Sequence, residues 1–363
     1  MSTFTVEPTN SICDGVVIGA GQAGLAAGYH LQRAGLRFAI VDAAPQAGGS
    51  WPAYYESLRL FSPARFSSLP GLAFPGDPDR YPSRDETTQY LRAYAAHFRL
   101  PVVGNTRVDS VSRAGDVFTV RSTDGRGFKA RNVIAASGAF HRPALPQLPG
   151  QDIFQGTVLH SFAYQSPEAF AGQRVVVVGA ANSAVQIGVE LARTARVTLA
   201  RRRPPNLLRQ RLWGRDVHFW WWLLGLDTST PRSLRGRIFK RLSTGPGPAV
   251  LDAGAYGAEL DAGRPSQKPM FTHFTRSGVV WPDGTHEPVD SVIFATGYAH
   301  NFNYLQSLGA LDQKGRAMQH EGVSTRVKGL YFVGLSYQRT FASASLRGVG
   351  PDAALVVGQL VTA

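Results

Sequence analysis

The chain has 363 residues, 44% hydrophobic and 17% charged, with a formal net charge of +13. That length admits two domains of ordinary size, and the composition excludes a disordered chain. A single cysteine, Cys13, excludes both an intrachain disulfide and a Cys-x-x-Cys electron relay.

The basic excess comes without a helix-turn-helix, zinc-finger or RNA-binding signature, so neither a nucleic-acid partner nor a metal is expected. The N-terminal stretch MSTFTVEPTNSICD lacks a basic start followed by an apolar core. No apolar run approaches the ~18 residues of a membrane span. A cytoplasmic protein without a transmembrane segment is expected.

The first predicted strand, Gly15 to Ile18, runs directly into Gly19-Ala20-Gly21-Gln22-Ala23-Gly24. An alanine- and leucine-rich helix follows to Ala34, Gly35 stops it, and a second strand from Arg37 to Val41 ends at Asp42. In this order the parts make a dinucleotide site. Gly19 permits the tight turn, Gly21 lets backbone approach a pyrophosphate, and Gly24 allows close helix–strand packing. The helix N-terminus offers free N–H groups to phosphate, and Asp42 can accept from ribose hydroxyls. Residues 102 to 131 read as short alternating strands with turns at Asp124-Gly125 and Arg126-Gly127, a small antiparallel meander.

A second copy of the device follows. Val175 to Val178 is its strand, Gly179-Ala180-Ala181-Asn182-Ser183-Ala184 its turn, and a helix to about Arg193 leads to a strand from Arg196 to Ala200. Ala181 and Ala184 replace two of the glycines. Where the first copy has Asp42, the second has Arg201-Arg202-Arg203. A carboxylate repels a 2′-phosphate, whereas guanidinium groups bind one through charge-assisted hydrogen bonds. The first site therefore suits FAD and the second NADPH.

The strand-like run Val289 to Phe294 leads into Ala295-Thr296-Gly297-Tyr298, with an earlier echo at Val133 to Gly138. Both are strand-to-glycine crossings of the kind that carries chain between nucleotide domains. The expected fold is α/β, with two Rossmann-like dinucleotide-binding domains. The NADPH domain, 166–287, is inserted into an FAD domain made of 1–165 and 288–363.

Further motifs carry a family resemblance that spans Gly15 to about Val357. They are Gly48-Gly49-Ser50-Trp51, the run Ser57 to Pro63, Tyr81 to Glu86, Phe154-x-Gly156-x-x-x-His160-x-x-x-Tyr164, and Gly329 to Gly334, together with the two glycine turns and the 295–298 crossing. The chain resembles the class B flavin-dependent monooxygenases, in the metal/arsenic-operon flavoprotein branch. The resemblance implies that NADPH reduces FAD by hydride transfer. Oxygen then adds to give a C4a-(hydro)peroxyflavin, which oxygenates a small substrate. It places Gly49, Trp51, Leu60, Ser62, Gly138, Thr296, Gly297, Ser345 and Leu346 near cofactor. It assigns Gln22 to the first turn, and Asn182 and Ser183 to the second. Phe154, Gly156 and His160 form an interdomain signature, with His160 a linker and not a base. Phe61 stands near where heteroatom-oxidising relatives place an asparagine. An NADPH oxidase without productive oxygenation, or a non-catalytic flavin-binding partner protein, are the alternatives.

Residues 204 to 270 fit no nucleotide motif. Three consecutive tryptophans, Trp220, Trp221 and Trp222, would point in three directions on a helix. They suit a substrate pocket, a dimer interface, a weak membrane contact or plain packing onto the NADPH domain. Asp216 and His218, two residues apart, are not expected to face each other on that helix. Near the C-terminus Gln338 and Arg339 are candidate catalytic groups, and a helix is expected to start near Pro351.

Overall fold

In a computed structural model the described residues are 11–138, 140, 142–243, 247–252 and 256–362. The first ten residues, which carry part of the leader reading, lie outside them. Strand β1 (Cys13–Ile18) is almost wholly buried, as a strand covered on both faces must be. Helix α1 (Gln22–Arg33) returns the chain to β2 (Phe38–Val41), parallel to β1. Helix α2 (Arg84–His97) begins with a capping box, in which Ser83 accepts from the Glu86 N–H and Glu86 accepts from the Ser83 N–H.

The strands β3 (Val102–Val103), β4 (Val108–Ala114), β5 (Val117–Ser122) and β6 (Gly127–Ala135) complete this half. The last three form the expected meander, and β6 continues past it to pair parallel with β1.

A second sheet repeats the plan. It contains β7 (Thr157–His160), β8 (Arg174–Val178), β9 (Arg196–Arg201), β10 (Ser266–Pro269) and β11 (Ser291–Phe294), with α3 (Asn182–Leu191) joining β8 to β9. Its order is β10-β9-β8-β11-β7, all parallel. The first sheet, with β12 (Leu330–Phe332), runs β12-β6-β1-β2-β3. In each sheet the strand before the glycine turn therefore lies between its crossover partner and a later parallel strand. Each sheet has a buried apolar cluster on both faces, one around Val17 and Ile40 against one around Val16 and Phe332, and likewise Val177 against Val176.

The strand memberships move the expected boundaries. The limits at 165 and 288 put residues 157–160 and 291–294 in the first unit, but both strands pair within the second sheet. The chain changes sheet in the segments after Ala135 and after Phe294. The misplacement has a simple origin: apolar runs such as Val289 to Phe294 show that a strand is buried, not which sheet buries it.

These two crossings lie side by side. Pro143 and Tyr298 form an antiparallel bridge, the Ala144 N–H donates to Gly297 O at 3.0 Å, and the Ala299 N–H donates to Arg142 O at 2.9 Å. The C-terminal helix, α6 when the later helices α4 (Val217–Leu223) and α5 (Leu234–Ser243) are counted, spans Leu346–Thr362. It starts five residues before Pro351, which sits inside it. The residue read as its opening instead follows a first turn held by the Gly348 and Val349 N–H groups on Ser345 O.

Candidate active site

Two glycine turns face the two crossings with matching geometry. Gly19 has φ of 110°, and a Cβ there would lie 2.5 Å from Ala136 O. Gly179 has φ of 144°, and a Cβ there would lie 2.6 Å from Ala295 O. Ala136-Ser137-Gly138 and Ala295-Thr296-Gly297 are thus equivalent segments, each ending in a positive-φ glycine. Both helices then start from an extended N-cap, Gly21 or Ala181, with no side-chain cap. Their first N–H groups are left for an anion.

The first turn is the tighter. A Cβ on Gly24 would stand 1.8 Å from Gly19 O, so α1 packs against the turn with no room for a methyl. Gly49, at φ of 58°, brings its backbone against Gly21, where a Cβ would come within 2.8 Å of the Gly21 Cα. Asp42 sits at the end of β2 and accepts from the N–H groups of Ala20 and Ala44. Each carboxylate oxygen has a second lone pair for a ribose hydroxyl. Gln22 joins three segments: it accepts from Trp51 Nε1 at 2.9 Å and donates to Ala344 O at 2.5 Å, next to Ser345 and Leu346. Cradle, acid and converging loops fit an adenine dinucleotide.

The second turn ends differently. Arg201, half-buried at the end of β9, donates through Nε to Gln267 Oε1 at 3.0 Å, while Arg202 and Arg203 are exposed. Asn182 opens α3 with a buried Oδ1 that has no partner, and Ser183 follows it.

Residues 16–212 match the pyridine nucleotide-disulphide oxidoreductase family. The chain belongs to that family. Within it, the relatives are flavin monooxygenases of class B and CzcO-like oxidoreductases. A CzcO-like oxidoreductase of Geobacillus kaustophilus is 34% identical over 354 residues, covering 96% of this chain and 99% of the relative. The indole-3-pyruvate monooxygenase YUCCA1 of Oryza sativa is 30% identical, covering 93% and 89%. The solved flavin-containing monooxygenase of Stenotrophomonas maltophilia superposes with a TM-score of 0.83 at 32% identity, covering 97% and 99%. The class B flavin monooxygenase assignment read from the motifs stands, with FAD and NADPH as the cofactors. The redox disulfide in the family's name has no counterpart here, because Cys13 is buried alone in β1.

Several of the expected site residues have contacts of their own. Leu60 is buried in the first core, and the Ser62 hydroxyl is 2.9 Å from that of Ser67. Phe154 and Gly156 do not bridge the two sheets. Phe154 packs on Phe274 at 5.1 Å, and a Cβ on Gly156 would meet that phenyl ring and Asp290 O, so both serve the second core. His160 does reach the crossing: its Nε2 is 2.9 Å from Gly297 O, and Nδ1 accepts from the Phe162 N–H. Burial pushes this imidazole below its ordinary range, with the Gly297 hydrogen bond opposing. Both nitrogens are engaged, which leaves no free lone pair for a base. Thr296 donates to Ala144 O at 2.5 Å.

Gln338 is spent on its own loop, with Nε2 donating to Phe332 O and Oε1 accepting from the Leu335 N–H. Arg339 donates through Nε at 3.0 Å to Asp352, whose side chain is fully buried. Both hold the turn that leads into α6.

Two arrangements went unread in the sequence. An aromatic ladder, Trp51, Tyr54, Phe140, Tyr298 and His160, runs across both crossings with centroids 4.9 to 6.0 Å apart. The pair Tyr54-Tyr55, starting three residues after Trp51, is its available signal. The other is a buried polar cluster around Asp216. This residue is the N-cap of α4, not part of the helix, and its carboxylate accepts from His218 Nδ1 and N–H, Tyr81 and Gln210. Phe61 stacks on His218 at 6.4 Å. Burial presses the Asp216 carboxyl upward, but the hydrogen bonds from His218, Tyr81 and Gln210 outweigh it and hold it below the usual carboxylate range. Burial pushes His218 below its ordinary range, with the Asp216 hydrogen bond opposing; its Nδ1 faces the carboxylate, and its buried Nε2 has no partner.

Proposed function

We propose that the protein is an NADPH-dependent flavoprotein monooxygenase acting on a small substrate. One observation carries the reading: two glycine cradles of matching geometry end in opposite charge, Asp42 after β2 and Arg201 at the end of β9. In this reading the first unit holds FAD. The α1 N-terminus takes the pyrophosphate, Asp42 the ribose, and the loops of Gly49, Trp51, Ser345 and Leu346 flank the flavin. The second unit holds NADPH at Gly179, Asn182 and Ser183, with Arg201 and Arg202 on the 2′-phosphate. Bound FAD would supply hydride acceptance from NADPH and activation of oxygen. The protein's part is to orient both nucleotides, through the Gln22 junction and the paired crossings, and to keep water from the reacting face.

The second reading, an oxidase that returns electrons to oxygen unproductively, draws on Phe61. A phenyl ring stands there and offers no hydrogen bond. Anaerobic reduction by NADPH followed by rapid mixing with oxygen separates the two. A long-lived oxygenated flavin supports the monooxygenase, and direct return to oxidised flavin with stoichiometric peroxide supports the oxidase.

A further inference from the structure

The segment from 201 to 247 carries eleven arginine and lysine residues against two aspartates, so it holds nine of the thirteen net positive charges of the chain. Both aspartates face inward. Asp216 is enclosed by the cluster described above, and Asp227 pairs with Arg347 at 2.8 Å. On the same segment lie half of the large apolar side chains that are exposed among the described residues.

Aromatic contacts link several side chains of this segment. The two-residue turn of the hairpin between Leu212 and Arg215 consists of Trp213 and Gly214, at φ of 48° and 75°. A left-handed conformation at the first turn position is unfavourable for an aromatic residue, and asparagine or glycine is the usual occupant. Trp213 is nevertheless held there, 86% exposed, between the exposed Arg211 and Arg215. Its ring packs edge-on against Trp220 at 5.3 Å, Trp220 against Phe219 at 5.2 Å, and Phe219 on Trp222 at 6.2 Å.

Helix α4 is thereby divided. His218 and Trp221 turn inward, while Trp222, Leu223 and Leu224 are more than half exposed. Helix α5 packs on it through Trp221 and Phe239 at 5.3 Å. One turn apart on its outer side it exposes Leu234, at 71%, and Ile238, flanked by the exposed Arg235 and Arg237.

We infer that this face docks on an anionic lipid bilayer, with Trp213 and the α4–α5 apolar side chains entering the interface and the arginines meeting lipid headgroups. Tryptophan and leucine projecting between cations are the side chains that an interfacial helix presents to lipid. A second copy of the chain fits poorly, because a two-fold interface would set nine positive charges against nine. Nucleic acid would satisfy the charge but leave Leu223, Leu224, Leu234 and Ile238 without a role, since aliphatic side chains do not stack on bases. Among the described residues no helix is long and apolar enough to cross a membrane, so the contact is peripheral.

The test is flotation of the FAD-loaded full-length protein with vesicles of phosphatidylcholine alone or mixed with phosphatidylglycerol, at low and high salt. Binding is expected only with phosphatidylglycerol, weakening as salt rises. The double variant W213S/W222S and the charge reversal R235E/R237E should each lower partitioning about tenfold or more while retaining flavin absorbance. Failure to float with the anionic vesicles at low salt overturns the proposal. So does binding that neither variant weakens, tighter binding to single-stranded RNA competing the vesicles off, or a dimer that buries Trp213.

Discussion

Asp216 and His218 are joined by a 2.7 Å hydrogen bond although only one residue separates them. The contact exists because Asp216 is extended, at φ of −60° and ψ of 145°, and caps α4 from outside while His218 already lies within it. The same carboxylate gathers Tyr81 from before α2 and Gln210 from the segment after β9, so one side chain ties the variable segment to the first unit. Replacing it with alanine removes a helix cap and strands buried donors. Asp216→Ala should lose about 3 kcal/mol of stability, measured by chemical denaturation, and Asp216→Asn about half that.

Acid should weaken the protein in a window set by buried histidines. His30, His160, His218 and His300 are all pushed below their ordinary range, primarily by burial. The unfolded chain binds their protons first. Stability is therefore full above an unfolded pKa of about 6.5 and declines as pH falls below it, until the folded values are reached. His218→Gln should flatten the slope of thermal midpoint against pH below 6.5. An unchanged slope would show that His218 is not held neutral.

The first glycine cradle admits no methyl at its closest point. Gly24→Ala, with a Cβ aimed at Gly19 O, should give a folded but colourless protein or one that sheds FAD on dialysis. Gly35→Ala, where a Cβ would meet nothing within 4 Å, strains only its own positive φ and should keep the flavin at a loss of about 1 kcal/mol.

Coenzyme choice should follow the cations after β9. Arg201→Ala with Arg202→Ala is expected to raise KM for NADPH about tenfold or more while leaving NADH nearly unchanged. Equal losses with both coenzymes would remove the arginines from the 2′-phosphate.

Arg339→Ala leaves the carboxylate of Asp352 buried without its ion pair and should cost about 3 kcal/mol. Because both groups hold the turn into α6, the loss should appear in thermal unfolding, with kcat changing much less than a missing catalytic group would require.

Both dinucleotide turns were legible because each needs a fixed order of apolar strand, glycines, helix and terminal charge, and local chain order preserves that pattern. Strand membership was less so: β11 finds its sheet by pairing with β8 and β7 by pairing with β11, information that no local run contains. The Asp216 cluster was hidden for a different reason. The spacing rule for helices holds only inside a helix, and the boundary at Val217 placed the two residues on opposite sides of it. Gln338 and Arg339 had the right polarity for a site, but their partners, Phe332 O and Asp352, are set by how α6 docks.

Two crossings that run together and share rungs at Gly297 and Arg142 make a doubled connection between the halves. A single connecting thread would let the halves swivel in any direction. A doubled one gives way to folding about its own width and resists torsion, since twisting would break the Ala144 and Ala299 bonds at once. Any movement of one half against the other that kept both bonds would follow an arc, so a hydride donor carried on one half would arrive at the other from the same side.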